Sequence, residues 1–220
     1  IQSVSTDLGG ADAANYTFAG TTGDYTVSEA TLGGSITTGS SVYGSALVPG
    51  TASITSGIIS TGTGTDLVTA GTVAVTTTGN TSSSGNLKAG IYSDKQSLAL
   101  NGADKDNYTF GGTVGDYTVS TLSLAGVLGA GSTVYGASLV PGAVTFSNKV
   151  TGDTVTAATP TITTTGNTST SGNLKAGSYT GIQSVSSTLS GTDAANYTFG
   201  GTVGDYTVST LSLAGVLGAG

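Results

Sequence analysis

Asn15-Tyr16-Thr17-Phe18 returns as Asn107-Tyr108-Thr109-Phe110 and again as Asn196-Tyr197-Thr198-Phe199, at intervals of 92 and 89 residues. Gly23-Asp24-Tyr25-Thr26-Val27 returns at Gly115 and Gly204 with the same intervals. A fixed period decides the architecture before any local reading, because each recurrence implies a unit that folds in the same way. Working outward, Val42-Tyr43-Gly44 matches Val134-Tyr135-Gly136, and each is followed by Val-Pro-Gly, at Val48 and Val140. Thr78-Gly79-Asn80 and the block from Gly85 to Gly90 match Thr165-Gly166-Asn167 and the block from Gly172 to Gly177, with no change in internal spacing. Length changes fall between these blocks, where surface loops tolerate them.

The Asp-Tyr-Thr-Val block closes a unit and a new apolar run follows it. This divides the chain into the end of one repeat (1–28), two full repeats (29–120 and 121–209) and the start of another (210–220). Ile1-Gln2-Ser3-Val4-Ser5 matches Ile182-Gln183-Ser184-Val185-Ser186, and 209–220 copies 120–131, so the expectation is an excerpt of a longer array. Alternation in Asp116-Tyr117-Thr118-Val119, Ala143-Val144-Thr145-Phe146 and Thr161-Ile162-Thr163-Thr164-Thr165 has the period of half-buried strands. Gly79-Asn80, Gly166-Asn167, Pro49-Gly50 and Pro141-Gly142 supply turn residues between them. The reading is an all-β fold: tandem repeats of about 90 residues, each a small immunoglobulin-like β-sandwich, the repeats forming beads joined by short extended connections. The alternative is a β-solenoid, but coils of about 20 to 30 residues would leave a sub-period that the units lack.

Composition narrows the function. Of 220 residues 37 are Gly, 8% are charged, and Cys, His, Met, Trp and Arg are absent. Without His no side chain titrates unperturbed near neutrality, and without Cys there is neither a thiolate nucleophile nor a soft metal ligand. Acid–base work would fall to Asp, Tyr and the lone Glu29, and no spacing brings these together, so the chain is read as not an enzyme, with no catalytic, cofactor-binding or metal residues. A net charge of −7 provides no electrostatic footprint for nucleic acid or anionic lipid. No apolar run approaches the length of a membrane span, so no membrane insertion is expected, and any secretion signal is placed outside this stretch.

The order of Val-Tyr-Gly at 42–44 and 134–136, Thr151-Gly152-Asp153-Thr154 with Thr159-Pro160-Thr161, the Asn-Tyr-Thr-Phe blocks and the closing Asp-Tyr-Thr-Val-Ser resembles the glycine-rich MBG and YDG repeats. These occur in tandem in large bacterial adhesins and filamentous-haemagglutinin-like exoproteins. In departure, Tyr-Asp-Gly appears only as Tyr-Gly, and the first full repeat has Gly64-Thr65-Asp66-Leu67 where the second has Gly152-Asp153-Thr154. The resemblance implies export to the bacterial cell surface or beyond and a passive role as stalk, spacer or matrix fibre. Its partners would be copies of itself or neighbouring repeats, with the host or matrix ligand unidentified. A carbohydrate- or matrix-binding module using exposed Tyr and Asn is the alternative.

Candidate sites are few. Asn15, Asn80, Asn107, Asn167 and Asn196 head glycosylation sequons, although such triplets arise by chance in a Thr- and Ser-rich chain and the Asn of Asn-Tyr-Thr-Phe suits a turn entering a strand. Asn101, Asp104 and Asp106 form the one acidic cluster with any likeness to a Ca²⁺ site. Its counterparts at 12–15 and 193–196 lack the second acid, which favours a solvated turn. The Asp of Gly-Asp-Tyr, at 24, 116 and 205, reads as an Asx-turn. Thr161, Thr163 and Thr165 share a strand face and read as cross-strand packing. The repeat-defining aromatics are Tyr16, Phe18, Tyr25, Tyr43, Tyr108, Phe110, Tyr117, Tyr135, Tyr197, Phe199 and Tyr206, expected with rings in the core and hydroxyls reaching outward.

Overall fold

The structure, a computed structural model, describes residues 2–217. Ile1 of the first partial repeat and residues 218–220 of the last lie outside the described residues. The protein is all-β: short strands in several sheets, three single 3₁₀ turns, and no α-helix among the described residues. Packing gathers the chain into two compact units, one of residues up to Ser35 with Ser53–Thr72 and Ala99–Thr113, the other of Ile36–Ala52, Val73–Leu98 and everything from Val114 onward. These bounds differ from the boundaries of the sequence repeats.

In the first unit the strand Ala30–Ile36 lies parallel to Tyr108–Phe110, with Tyr108 opposite Ala30. Leu32, Val68 and Tyr108 form its core, backed by Ala30, Ile54 and Leu100. The 3₁₀ turn Lys105–Asn107 delivers the chain into Tyr108.

In the second unit Tyr117–Ser120 is flanked by Gly39–Val42, parallel, and Gly90–Tyr92, antiparallel. Its counterpart one repeat later is the strand Thr202–Ser209, flanked by Gly131–Val134, parallel, and Gly177–Val185, antiparallel. Tyr117 stands opposite Gly39 and Tyr92, and Tyr206 opposite Gly131 and Tyr179. The opposing glycine is required sterically: a Cβ at Gly131 would stand 2.6 Å from the Tyr206 ring, and one at Gly39 would stand 2.7 Å from Tyr117. The parallel pairs arise because strands from the early part of a repeat lie beside strands from its end and run the same way.

Each of the two full repeats is further locked by a buried glutamine. Gln96 accepts from the Gly50 amide at 2.7 Å and donates to the carbonyls of Thr37 and Gly115, at 2.9 and 2.8 Å. Gln183 accepts from the Gly142 amide at 2.7 Å and donates to Gly129 and Asp205. An amide side chain with every polar atom engaged joins backbone segments that no ladder connects, and a buried one left unsatisfied would cost about 1–3 kcal/mol.

Two local expectations change. The strand at Thr161 ends at Ile162, so Thr161, Thr163 and Thr165 do not share a strand face; the Gly166-Asn167 turn, with Gly166 at φ +79°, curls the chain away. The beads with extended connections are replaced by continuous packing inside the second unit. Tyr43, Leu87, Tyr117 and Val119 of one repeat and Leu124, Val155, Val185, Tyr197 and Phe199 of the next form a single apolar cluster, and Thr121 alone separates the strands Tyr117–Ser120 and Leu122–Ser123.

Candidate functional site

The most highly organised polar group of the second unit lies where those two sequence repeats meet. Leu122–Ser123 pairs in parallel with Tyr197–Thr198, which fixes Tyr197 immediately after the 3₁₀ turn Ala194–Asn196. Asp153 sits in the turn after Val150, its amide bonded to the Val150 carbonyl. Tyr43 follows the strand Gly39–Val42, and its amide donates to the Ser120 carbonyl at 2.8 Å. The three converge: Tyr197 Oη donates to Asp153 Oδ2 at 2.6 Å, Tyr43 Oη donates to the same oxygen, and the Ser84 amide donates to Oδ1 at 3.1 Å. Ser82 Oγ lies 2.6 Å from the Tyr43 hydroxyl. The Tyr43 and Tyr197 rings meet edge to face, with centroids 5.2 Å apart at 77°.

Two further bonds flank this triad. The Ser83 amide donates to Asp193 Oδ1 at 3.1 Å, while Asp193 Oδ2 accepts from the Thr154 amide at 2.9 Å. The Ala89 amide donates to Asn196 Oδ1 at 2.9 Å. One repeat thus supplies a row of donors, Tyr43, Ser83, Ser84 and Ala89. The next supplies acceptors, Asp153, Asp193 and Asn196, all at most 5% exposed.

Burial acts to raise the Asp153 carboxyl, but the hydrogen bonds from Tyr197, Tyr43 and Ser84 outweigh it and hold the group below its ordinary value. Asp193 is likewise driven upward by burial and brought below its ordinary value by the Thr154 and Ser83 amides. The phenols move the other way: burial first, then the adjacent carboxylate, raise both Tyr43 and Tyr197. The arrangement therefore keeps one charge and two neutral phenols through the physiological range. With its oxygens spent on donors, the carboxylate has the character of a structural clamp rather than a general base.

Comparison with family models, with curated proteins and with solved structures returned no match.

The aromatics that define the repeat divide into two sets. Tyr43, Tyr108, Tyr117, Tyr197, Phe199 and Tyr206 are buried, and Phe110 and Tyr135 are half-buried. Tyr16, Phe18 and Tyr25 are exposed. The outward-reaching hydroxyls are corrected: Tyr117 Oη accepts from the Val48 amide at 2.9 Å, Tyr206 Oη from Val140 at 3.1 Å, and Tyr197 and Tyr43 are satisfied inside. Among the sequons, Asn15 and Asn107 are exposed, Asn80 and Asn167 are half-buried in turns, and Asn196 is buried.

The solvated-turn reading fails at Asp193, which the preceding repeat covers. Asp104 accepts from the Leu67 amide at 2.8 Å, and Asp106 pairs with Lys105 at 2.5 Å. Among the described residues no group of three His, Cys, Asp or Glu side chains could hold a metal ion. The Asx-turn expected at Asp205 is instead a bond across the sheet, its Oδ1 accepting from the Gly181 amide at 2.9 Å.

Sequence reasoning missed Asp153 as the centre of the site. The signal was present as the motif departure: Asp66 and Asp153 are true counterparts, for Tyr108 Oη donates to Asp66 Oδ2 at 2.6 Å just as Tyr197 does to Asp153. Leu67 and Thr154 likewise give their amides to Asp104 and Asp193.

Proposed function

We propose that the chain is a structural repeat region of a secreted bacterial surface adhesin or extracellular filament, acting as stalk, spacer or matrix fibre. Each repeat is read as a small immunoglobulin-like β-sandwich of the MBG or YDG kind. The observation that carries the reading is the repeat junction, where a buried carboxylate, two tyrosines and a shared apolar cluster couple one repeat to the next. A protein whose most elaborate polar chemistry is spent on coupling its own repeats is built to transmit position along its length. The absence of Cys and Arg and the excess of acid suit a chain that folds outside the cell without disulfide catalysis.

The sugar-binding alternative needs two or more exposed Tyr in every repeat. It loses support because Tyr43, Tyr117, Tyr197 and Tyr206 are enclosed and hydrogen-bonded. Electron microscopy of the native material at bacterial surfaces tests the proposal. Thin rods or filaments with an axial period set by one repeat are the expected result, and isolated globular particles or an intracellular location would overturn it.

A further inference from the structure

Asn101-Gly102 is the one Asn-Gly pair in the chain. The fold reserves its second position for glycine. Gly102 leaves the strand Gln96–Asn101 at φ +114°, and a Cβ there would collide with the Leu67 carbonyl. Its counterpart Gly191 has φ +115° and stands in the same way against the Thr154 carbonyl. The residue before that glycine varies: Gly9 in the first partial repeat, Asn101 in the first full repeat and Ser190 in the second. Asn101 is exposed and lies against the bare face of Gly71, where a Cβ would come 3.0 Å from its Cγ. Its carboxamide has no hydrogen-bond partner among the described residues, whereas Asn80, Asn86, Asn148, Asn173 and Asn196 are each held by one. The Gly102 amide likewise donates to no carbonyl among them. Exposure belongs to the position and not to a missing neighbour, for Ser190 is exposed although the preceding repeat is packed on its own.

We infer that Asn101 is a self-modification site, deamidating in the folded protein to aspartate and isoaspartate with water as the only co-reactant. The Gly102 amide nitrogen, giving its proton to solvent base, bonds to Asn101 Cγ; the Cγ–Nδ2 bond breaks, ammonia leaves and a succinimide closes. Glycine permits this step because no Cβ shields its nitrogen and its backbone is free to bring that nitrogen onto Cγ. Water then adds to one imide carbonyl or the other. Breaking the Cγ–N bond restores the ordinary chain with aspartate, and breaking the bond to the α-carbonyl leaves isoaspartate, with the chain running through the side-chain carbon. No electrons are exchanged. The isoaspartate form carries one methylene more in the main chain, between the strand end and a glycine set close against the Leu67 carbonyl. That carbonyl accepts from the Asp104 amide at 3.2 Å, and the Leu67 amide donates to Asp104 Oδ2 at 2.8 Å. Ageing therefore loosens the turn that carries Asp104 in the first full repeat and leaves the second, with Ser190, as it was. The inference goes beyond the fibre reading and does not depend on it.

Storage of the purified chain at neutral and mildly alkaline pH is the test, followed by peptide mapping with mass spectrometry and fragmentation that separates isoaspartate from aspartate. The peptide holding Asn101 should gain one dalton before any other Asn peptide, faster in proportion to hydroxide and with isoaspartate the larger product. Its rate should lie within about tenfold of the same sequence as a free peptide, because no contact in the fold has to break first. Asn101→Ser, which installs the residue of the second full repeat, should abolish the gain. Ser190→Asn should create a second site beside Gly191. A folded chain that converts more slowly than that range, a gain that comes first at another Asn or persists in Asn101→Ser, or a Ser190→Asn variant that keeps its amide would overturn the inference. With age the urea midpoint of the parent should fall below that of Asn101→Ser stored beside it, and equal midpoints would overturn the loosening of the Asp104 turn.

Discussion

Asp153 and Asp66 occupy the same place in successive repeats and make the same bond to the tyrosine of their own repeat, yet one is buried and the other half-exposed. The whole difference comes from a neighbour: at Asp153 the preceding repeat brings Tyr43 and the Ser84 amide, and in the first unit nothing among the described residues takes that role. A site of this kind is half-formed within its own repeat and completed by the one before it. The same carboxylate is therefore a modest local bond in one setting and the hub of an interface in the other.

The comparison is sharpest under truncation. Asp153→Ala removes the acceptor of two buried phenols and an amide and should cost about 3–5 kcal/mol, whereas Asp66→Ala, losing one partly exposed bond, should cost about 1 kcal/mol. Urea denaturation of both variants reads the gap, and equal losses would break the comparison. Next in size is Gly131→Ala, whose Cβ would press on the enclosed Tyr206 ring and should destabilise by about 1–3 kcal/mol. The same change at Gly215, where a Cβ would meet nothing, should leave the urea midpoint unmoved. Tyr43→Phe should cost about 1–2 kcal/mol and Tyr135→Phe about half a kcal/mol or less, because only the first leaves a buried carboxylate short of a donor.

The smallest effect is with pH. Asp153 and Asp193 have depressed folded values, so their stabilisation is present above the unfolded value of about 4 and is lost as pH falls through the folded one. Tyr43 and Tyr197 are raised, so their contribution is present below about 10 and is lost as pH rises through their folded values. Thermal unfolding should show a plateau between these limits. Asp153→Asn should flatten its acid edge, and an unchanged acid edge would remove Asp153 from the account.

Much of this could be read from the chain itself. Tyr117 and Tyr206 announce their burial through the recurring Gly-Asp-Tyr-Thr-Val and its alternation, and the all-β class follows from spacing, turn residues and the lack of any helical period. Asp153 could not be read in this way. Its donors lie 69 and 110 residues earlier, at Ser84 and Tyr43, and 44 residues later, at Tyr197, all beyond the reach of local periodicity. Its counterpart Asp66 was hidden by a length change that displaces it against the aromatic blocks. Asn196 and Asp193 recur in phase and look like turn residues, although Asp193 already ties the Thr154 amide within its own repeat. Their second role belongs to the junction, which no single repeat encodes.

The parallel neighbours Gly131–Val134 and Thr202–Ser209 come from the early part and the end of one repeat, and their register runs from Gly131 opposite Tyr206 to Val134 opposite Ser209. Tension applied to the two ends of that repeat draws these strands past one another lengthwise. Their hydrogen bonds are then strained together in shear instead of parting one at a time as in a peeled hairpin. The repeat is thus strongest along its own chain axis, and Gly39–Val42 beside Tyr117–Ser120 repeats the arrangement. A string of such units would resist drag in flowing liquid without a covalent cross-link anywhere in it.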